Sequence, residues 1–402
     1  MEKKGLYYVI GNIHGKSCRN CRENRMTNGK TKVCVIGPLP PPMTGLSKAL
    51  DTIVRSERCR EELELHVIDL GKMYTVSGGG VSFSKLAGIS KLIRSVKQTV
   101  KKHDTDTYYL TIAQSTVGVL RDLAILRLLA KDRNCRNIVI HLHGGGFAKF
   151  YQNSSPLLRK MIRKYYSCVT KAIVLGDSLN HMFDGILPRE KVTVIPNCSD
   201  EEFLLSEAGL REKTQSFAEK RMLQVLYLSN MIREKGCLDV LSAAEQCARE
   251  KVPVRFVFAG KFYSEEEQKA FGSRLAKFKI EDYVNYIGVV SGEKKRTLLK
   301  ESDVFVLPTY YPHEGQPITI LEAMAAGMPV ICTAHAGIPD LVKDGRNGIF
   351  VPPMQPEKIT EAVKRLEKDR PLMRKMAEMN AAEVKEKYTE ERYLENIISV
   401  LK

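Results

Sequence analysis

The stretch HEGQPITILEAMAAGMPVICTA carries two carboxylates, Glu314 and Glu322, with seven residues between them. From Gln316 to Ala334, Glu322 is the only formally charged side chain in an apolar run. An unpaired carboxylate is costly to desolvate, so these acids need partners or a ligand. Two chemistries fit such a pair. The acids can serve as acid and nucleophile on a glycosidic bond, as in a glycosidase. They can instead accept hydrogen bonds from the vicinal hydroxyls of a sugar or a ribose.

The local sequence says how the pair is held. Pro317 suits the first position of a helix, where its missing N–H costs nothing. Gly327 suits the C-cap, and Pro329 follows the stop. This predicts a short, apolar, buried helix over 317–326, with Glu322 inside it and Glu314 in the preceding loop. The two acids then straddle a helix N-terminus, where free N–H groups and the helix dipole attract anions. That geometry suggests a clamp for a nucleotide sugar, one acid for each end and phosphate between. A buried Glu322 paired with an arginine is the purely structural alternative.

The elements that position this helix alternate along the chain. Strands are expected over 32–36, 65–70, 108–112, 137–141, 172–175 and 192–195, with helices over 45–55, 85–101, 116–131 and 154–166 between them. The pattern restarts with strands over 223–228, 254–259, 284–287, 304–307, 329–332 and 348–351. Helices are expected over 237–250, 265–277, 293–300, 355–368 and 371–387, and a last helix over 390–401. The expected fold class is α/β, with two doubly wound Rossmann-like halves. We divide the chain into an extension over 1–30, a first domain over 31–200, a second over 201–385 and a C-terminal helix over 386–402 that crosses back to the first domain. The linker 196–216 is polar and shows no clear strand. Ligands of such sheets bind at the carboxyl ends of the strands, here in the cleft between the halves.

Composition narrows the partners. At 43% hydrophobic and 27% charged residues, the 402-residue chain reads as a globular protein. Its polar start is followed by no secretory leader. The longest apolar run is broken by Glu322, Gly327 and Pro329 and so does not read as a membrane span. Ten scattered cysteines show no disulfide framework, which suits a reduced cytoplasmic setting. The net charge of +16 is one-sided: residues 1–200 carry 32 Lys and Arg against 16 Asp and Glu, and residues 201–402 carry 31 against 31. A polarised basic half points to a polyanion. No nucleic-acid motif accompanies it. An anionic membrane surface or a lipid-phosphate substrate is the expected partner, with peripheral attachment to the inner face of the membrane.

The motif HEGQPITILEAMAAGMPVI resembles the Glu–seven residues–Glu motif of the retaining glycosyltransferases of family 4, the glycosyl transferases group 1 type. The similarity runs from Lys30 onward. GPLPPPMTGLSKAL resembles the family's phosphate loop, HLHGG its strand-end histidine, VIPN its interdomain crossing, and LSNMIREKGCLDVL the start of its donor domain. GVVSGEKKRTLLKESDVFVLPT and AGIPDLVKDGRNGIFVPP also follow the family pattern.

This resemblance implies a GT-B fold of two facing Rossmann-like domains. It implies transfer of a hexose-type sugar from a nucleoside diphosphate sugar, such as a UDP-sugar, with retention and without a metal or other cofactor. The acceptor would be a growing glycan or lipid-linked saccharide of a cell-surface polysaccharide, lipopolysaccharide or capsule. Glu314 would bind the donor sugar, Glu322 the ribose, and Lys235 the pyrophosphate, with His143 at the sugar. Gly45 and Thr44 would meet the phosphates. Two positions depart from the family. Asn230 stands where an arginine is usual, and Arg233 in the same loop would replace its charge. Pro317 stands near a usual glycine, so the N–H of Ile318 or Gln316 would hold the phosphate, unless Gln316 reads the sugar. A glycosidase, a nucleotide-sugar epimerase and a non-enzymatic nucleotide-sugar sensor remain as alternatives.

Four weaker signals are set aside. Asp104 and Asp106 have metal-binding spacing but precede a strand at its amino end. The stretch from Tyr7 to Gly15 echoes metallophosphoesterases, with Asn12 where they have Asp. His14, Cys18 and Cys21 offer too few ligands for zinc. His141 shares a strand side with His143 and would pack or support the site.

Overall fold

The computed structural model describes residues 29–71 and 83–402. Twelve strands fall where the β-branched runs lie. The first six are β1 (Thr31–Gly37), β2 (Leu63–Asp69), β3 (Thr107–Ile112), β4 (Asn137–Leu142), β5 (Lys171–Val174) and β6 (Val192–Val194). They form one parallel sheet in the order β2-β1-β3-β4-β5-β6. The second six are β7 (Leu223–Leu228), β8 (Val254–Ala259), β9 (Val284–Tyr286), β10 (Val304–Leu307), β11 (Val330–Cys332) and β12 (Gly348–Phe350). They form a second parallel sheet, β12-β11-β10-β7-β8-β9.

Inner parallel strands are covered on both faces and read as near-continuous apolar runs, while the edge strands β2 (LELHVID) and β9 (VNY) carry polar residues. In the first sheet Cys34, Ile36, Tyr108 and Leu110 face one core, while Val33, Val35, Tyr109 and Val139 face the other. The second core receives the helix Gly45–Arg55 and the last helix, Glu390–Leu401, through Tyr393, Leu394, Ile397 and Leu401. The C-terminal helix thus returns to the first sheet. The two crossings touch: the Ser199 N–H donates to the carbonyl of Tyr388 at 2.9 Å.

The linker is more ordered than its sequence suggests. It contains a 3-10 turn at Glu201–Phe203 and most of a helix, Glu207–Glu219, capped by Ser206. Polar helices with one narrow buried edge, here Lys213, Thr214 and Phe217, give a weak apolar period. Short helices at Glu57–Glu62, Phe147–Asn153 and Ile338–Leu341 were likewise not expected.

Strand order reverses between β1 and β3 in one sheet and between β7 and β10 in the other. Such reversals open a crevice at the carboxyl ends of the strands, and ligands bind there. The loops carrying Lys235, after β7, and Glu314, after β10, leave adjacent strands at the second reversal. This two-sheet architecture is the GT-B fold.

Candidate functional site

Lys235 closes a 3-10 turn, Arg233–Lys235, which Gly236 (φ 81°) passes on to the helix Cys237–Arg249. Its Nζ lies 2.6 Å from Oε2 of Glu314. The hydroxyl of Thr309, the second residue after β10, donates to that same oxygen at 3.0 Å. The ring of Tyr311 lies 5.2 Å from the ammonium, within cation–π reach. Lys235 and Glu314 therefore hold each other.

Glu322 lies in the buried helix Ile318–Ala325 and is 1% exposed. Pro317 is the residue before this helix rather than its first, and its carbonyl accepts the N–H of Ile320. Gly327 (φ 63°) follows the last turn, a left-handed conformation that favours glycine. Glu322 is paired, but with two lysines rather than an arginine. Lys48 donates to Oε1 at 2.7 Å, and Lys295 lies 2.6 Å from Oε2, off the direction of a hydrogen bond. Lys48 also pairs with Asp200 at 2.8 Å. Both ammonium groups stand over the ring of Phe203, at 5.7 and 5.0 Å. Burial works against the charge on Lys48, but Glu322 and Asp200 outweigh it and push its pKa up.

The loops after β4 and β10 also meet backbone to backbone. The Gly145 N–H donates to the carbonyl of Glu314 at 2.6 Å. A Cβ at Gly315 would lie 2.1 Å from the carbonyl oxygen of His143, and one at Gly145 would lie 2.4 Å from that of Glu314. Gly45, capped by Thr44, stands near Ile318: a Cβ there would lie 3.7 Å from its Cδ1. The N-termini of the helices Gly45–Arg55 and Ile318–Ala325 thus converge on one cleft.

His143 follows β4 directly. Both its ring nitrogens are buried without partners, and its ring stacks on His141 at 3.9 Å. Burial lowers its pKa to about 3, so the imidazole is neutral. His141 is also pushed down by burial, and it is hydrogen-bonded through Nδ1 to the hydroxyl of Tyr109 at 2.6 Å. That places His141 as the support of His143.

The remaining sequence candidates divide. Both polar ends of the Gln316 side chain are taken by the protein. Its oxygen accepts the Asn197 N–H at 2.8 Å and its nitrogen donates to the carbonyl of Leu175 at 2.9 Å. It ties the crossing to the end of β5. Asn230 and Arg233 are both exposed beside Lys235. Pro317 offers no N–H, which leaves those of Gln316 and Ile318 on either side of it. Asp106 accepts the Lys32 N–H and Asp104 accepts from Asn134, so both serve the amino edge of the sheet. Tyr7 to Gly15, His14, Cys18 and Cys21 lie outside the described residues. Among the described residues no cluster of His, Cys, Asp or Glu is placed to hold a metal ion, and no helix is long and apolar enough to cross a membrane.

Sequence reasoning missed Lys48, Lys295, Asp200 and Thr309. Lys48 was the accessible one, since it lies one turn along the helix that begins at Gly45. A cavity of about 330 Å³, lined by Thr309, Thr333, His335, Phe350 and Pro352 among others, adjoins the Glu314 network through Thr309.

The family described as Glycosyl transferases group 1 matches residues 210–383. The putative colanic acid biosynthesis glycosyltransferase WcaL of Salmonella typhimurium is 30% identical over 134 residues, covering 32% of each chain. The alpha-D-kanosaminyltransferase of Streptomyces kanamyceticus is 30% identical over 201 residues, 49% of this chain and 50% of that one. The matches thus span a third to a half of these relatives. The crystal structure of Anabaena Alr3699/HepE in complex with UDP superposes with a TM-score of 0.70 at 16% identity, covering 92% of this chain and 99% of that one.

Proposed function

We propose that this chain, a member of the glycosyl transferases group 1 family, transfers a sugar from a nucleoside diphosphate sugar to a glycan or lipid-linked saccharide. The observation that carries this reading is the pairing of Lys235 with Glu314 at the β7–β10 reversal, beside two converging helix N-termini. Breaking the sugar–phosphate bond puts positive charge on the anomeric carbon and negative charge on the departing diphosphate. Lys235, Arg233 and the N–H of Ile318 at the helix start would meet the negative charge, and preorganised donors of this kind often give the largest catalytic effect. Glu314 would accept hydroxyls of the sugar, and Glu322 those of the ribose.

The reaction would retain anomeric configuration and need no metal. A front-face attack, with the leaving phosphate taking the acceptor proton, suits a site whose histidine is too weak a base at neutral pH. His143, held down to about 3, would contact the sugar as a neutral group. Closure of the two halves would exclude water and favour transfer over hydrolysis. A glycosidase needs one carboxyl protonated and one free. Here each carboxylate is held by a lysine, which argues against it.

The acceptor side is read as facing an anionic membrane. The helix Phe83–Lys102 contains Lys85, Lys91, Arg94, Lys97, Lys101 and Lys102 and no acid. The helix Pro156–Tyr166 adds four basic residues and an exposed Leu157. This suits a cytoplasmic enzyme of cell-surface polysaccharide assembly. Incubation with a panel of nucleotide sugars, measuring diphosphate release with and without saccharide acceptors, tests the reading. Acceptor-dependent release supports it. An epimerised donor, or binding without turnover, would sink it.

A further inference from the structure

We propose that Lys48 is a donor-binding residue that leaves Glu322 for the diphosphate when a nucleotide enters the cleft. The proposal rests on the glycosyl-transfer reading and deepens it. Nothing in the family resemblance assigned Lys48 a role.

Both oxygens of Glu322 are engaged by ammonium groups, Lys48 on Oε1 and Lys295 on Oε2. A charged partner at 2.7 Å outbids a neutral hydroxyl for a buried carboxylate. A ribose hydroxyl that takes the acceptor site now filled by Lys48 displaces the ammonium, and the diphosphate beside it offers a new anionic partner. Lys48 lies three residues beyond Gly45, and Glu322 four residues beyond Ile318, each about one helical turn from its own helix start. The two helix starts adjoin, with Ile318 Cδ1 3.7 Å from a Cβ built on Gly45. A diphosphate bound at those starts would lie about one turn from the backbone of Lys48. The four-carbon stem of lysine spans that distance. Asp200, already 2.8 Å from Nζ, steadies the side chain from the crossing while Oε1 is given up.

The exchange answers the departure at position 230. Asn230 brings no charge, so within its own half the diphosphate has Lys235, Arg233 and Lys295, the last already tied to Oε2 of Glu322. Lys48 supplies a further cation from the opposite sheet. It would couple nucleotide binding to the approach of the two halves, because its helix packs on the first sheet and Glu322 belongs to the second.

The test is calorimetric titration of the wild type, Lys48→Met and Lys48→Arg with UDP, GDP, ADP and dTDP and with the matching nucleosides. Lys48→Met is expected to weaken the diphosphate that the wild type binds by at least about tenfold. The nucleoside should bind unchanged or tighter, since Oε1 is freed. Lys48→Arg should recover most of the diphosphate affinity. Should Lys48→Met not fold, Lys48→Gln gives the same comparison. An equal loss for diphosphate and nucleoside, or no loss for either, overturns the assignment alone. If the wild type binds none of the diphosphates, the glycosyl-transfer reading falls with it.

Discussion

The backbone N–H of Gly145 donates to the carbonyl oxygen of Glu314 across 2.6 Å, joining the loop after β4 to the loop after β10. The contact needs two glycines, Gly145 and Gly315, because a Cβ on either would meet a backbone oxygen at 2.4 or 2.1 Å. Gly315→Ala should push His143 away from Glu314 and cost about 1–3 kcal/mol of stability. A displacement of about 1 Å in such a site lowers turnover roughly a hundredfold. Thermal melts and steady-state rates of the variant check both; wild-type rates would show that the two loops need not touch.

Lys235 and Glu314 answer to a second experiment. Lys235→Ala and Glu314→Gln should each abolish transfer while the chain stays folded. Loss of one preorganised donor costs on the order of 3 kcal/mol at the transition state. Diphosphate release, alongside circular dichroism, measures this. Normal activity in both variants would mean that the site lies elsewhere.

His143 gives a dependence on pH. Its pKa falls from 6.5 to about 3 on folding because burial disfavours the charged ring. Between these values the unfolded chain binds a proton that the folded chain does not. Stability therefore falls as pH drops below 6.5, by up to about 1.4 kcal/mol per pH unit for this group. Urea melts from pH 4 to 8 should show the slope, and His143→Gln should reduce it, leaving the part that buried His141 contributes.

Lys213 titrates at the other end of the scale. Its Nζ donates to the carbonyls of Leu299 and Ala326, in the last turns of the helices that carry Lys295 and Glu322. Burial lowers its pKa from 10.5 to about 7. The unfolded chain then holds the extra proton between these values, so stability rises with pH across that window. Lys213→Met should lose the rise and leave two carbonyls unpaired, a cost of about 1–3 kcal/mol each at most. Melts of both proteins from pH 7 to 10 decide it.

The basic first half predicts sedimentation with vesicles rich in anionic lipid at low salt, and release at high salt as the charges are screened. Equal binding to neutral vesicles would remove the membrane from the account.

Periodicity and punctuation determined a good deal by themselves. The twelve strands among the described residues were legible because inner parallel strands are written as near-continuous apolar runs and the edge strands still carry β-branched or apolar residues between turn signals. The helix holding Glu322 was legible from Pro317, Gly327 and its apolar face, and the straddling of its start by two acids followed from that. What the helix is tied to was decided only in three dimensions. Lys48 lies 274 residues from Glu322, and Lys235 lies 79 from Glu314. Gln316 and Asn197 are 119 apart. A side chain's local sequence gives its reach and its charge. Which opposite charge it meets depends on how two sheets face each other, and that is why Gln316 reads as a ligand-binding residue along the chain and serves as a strut in the fold.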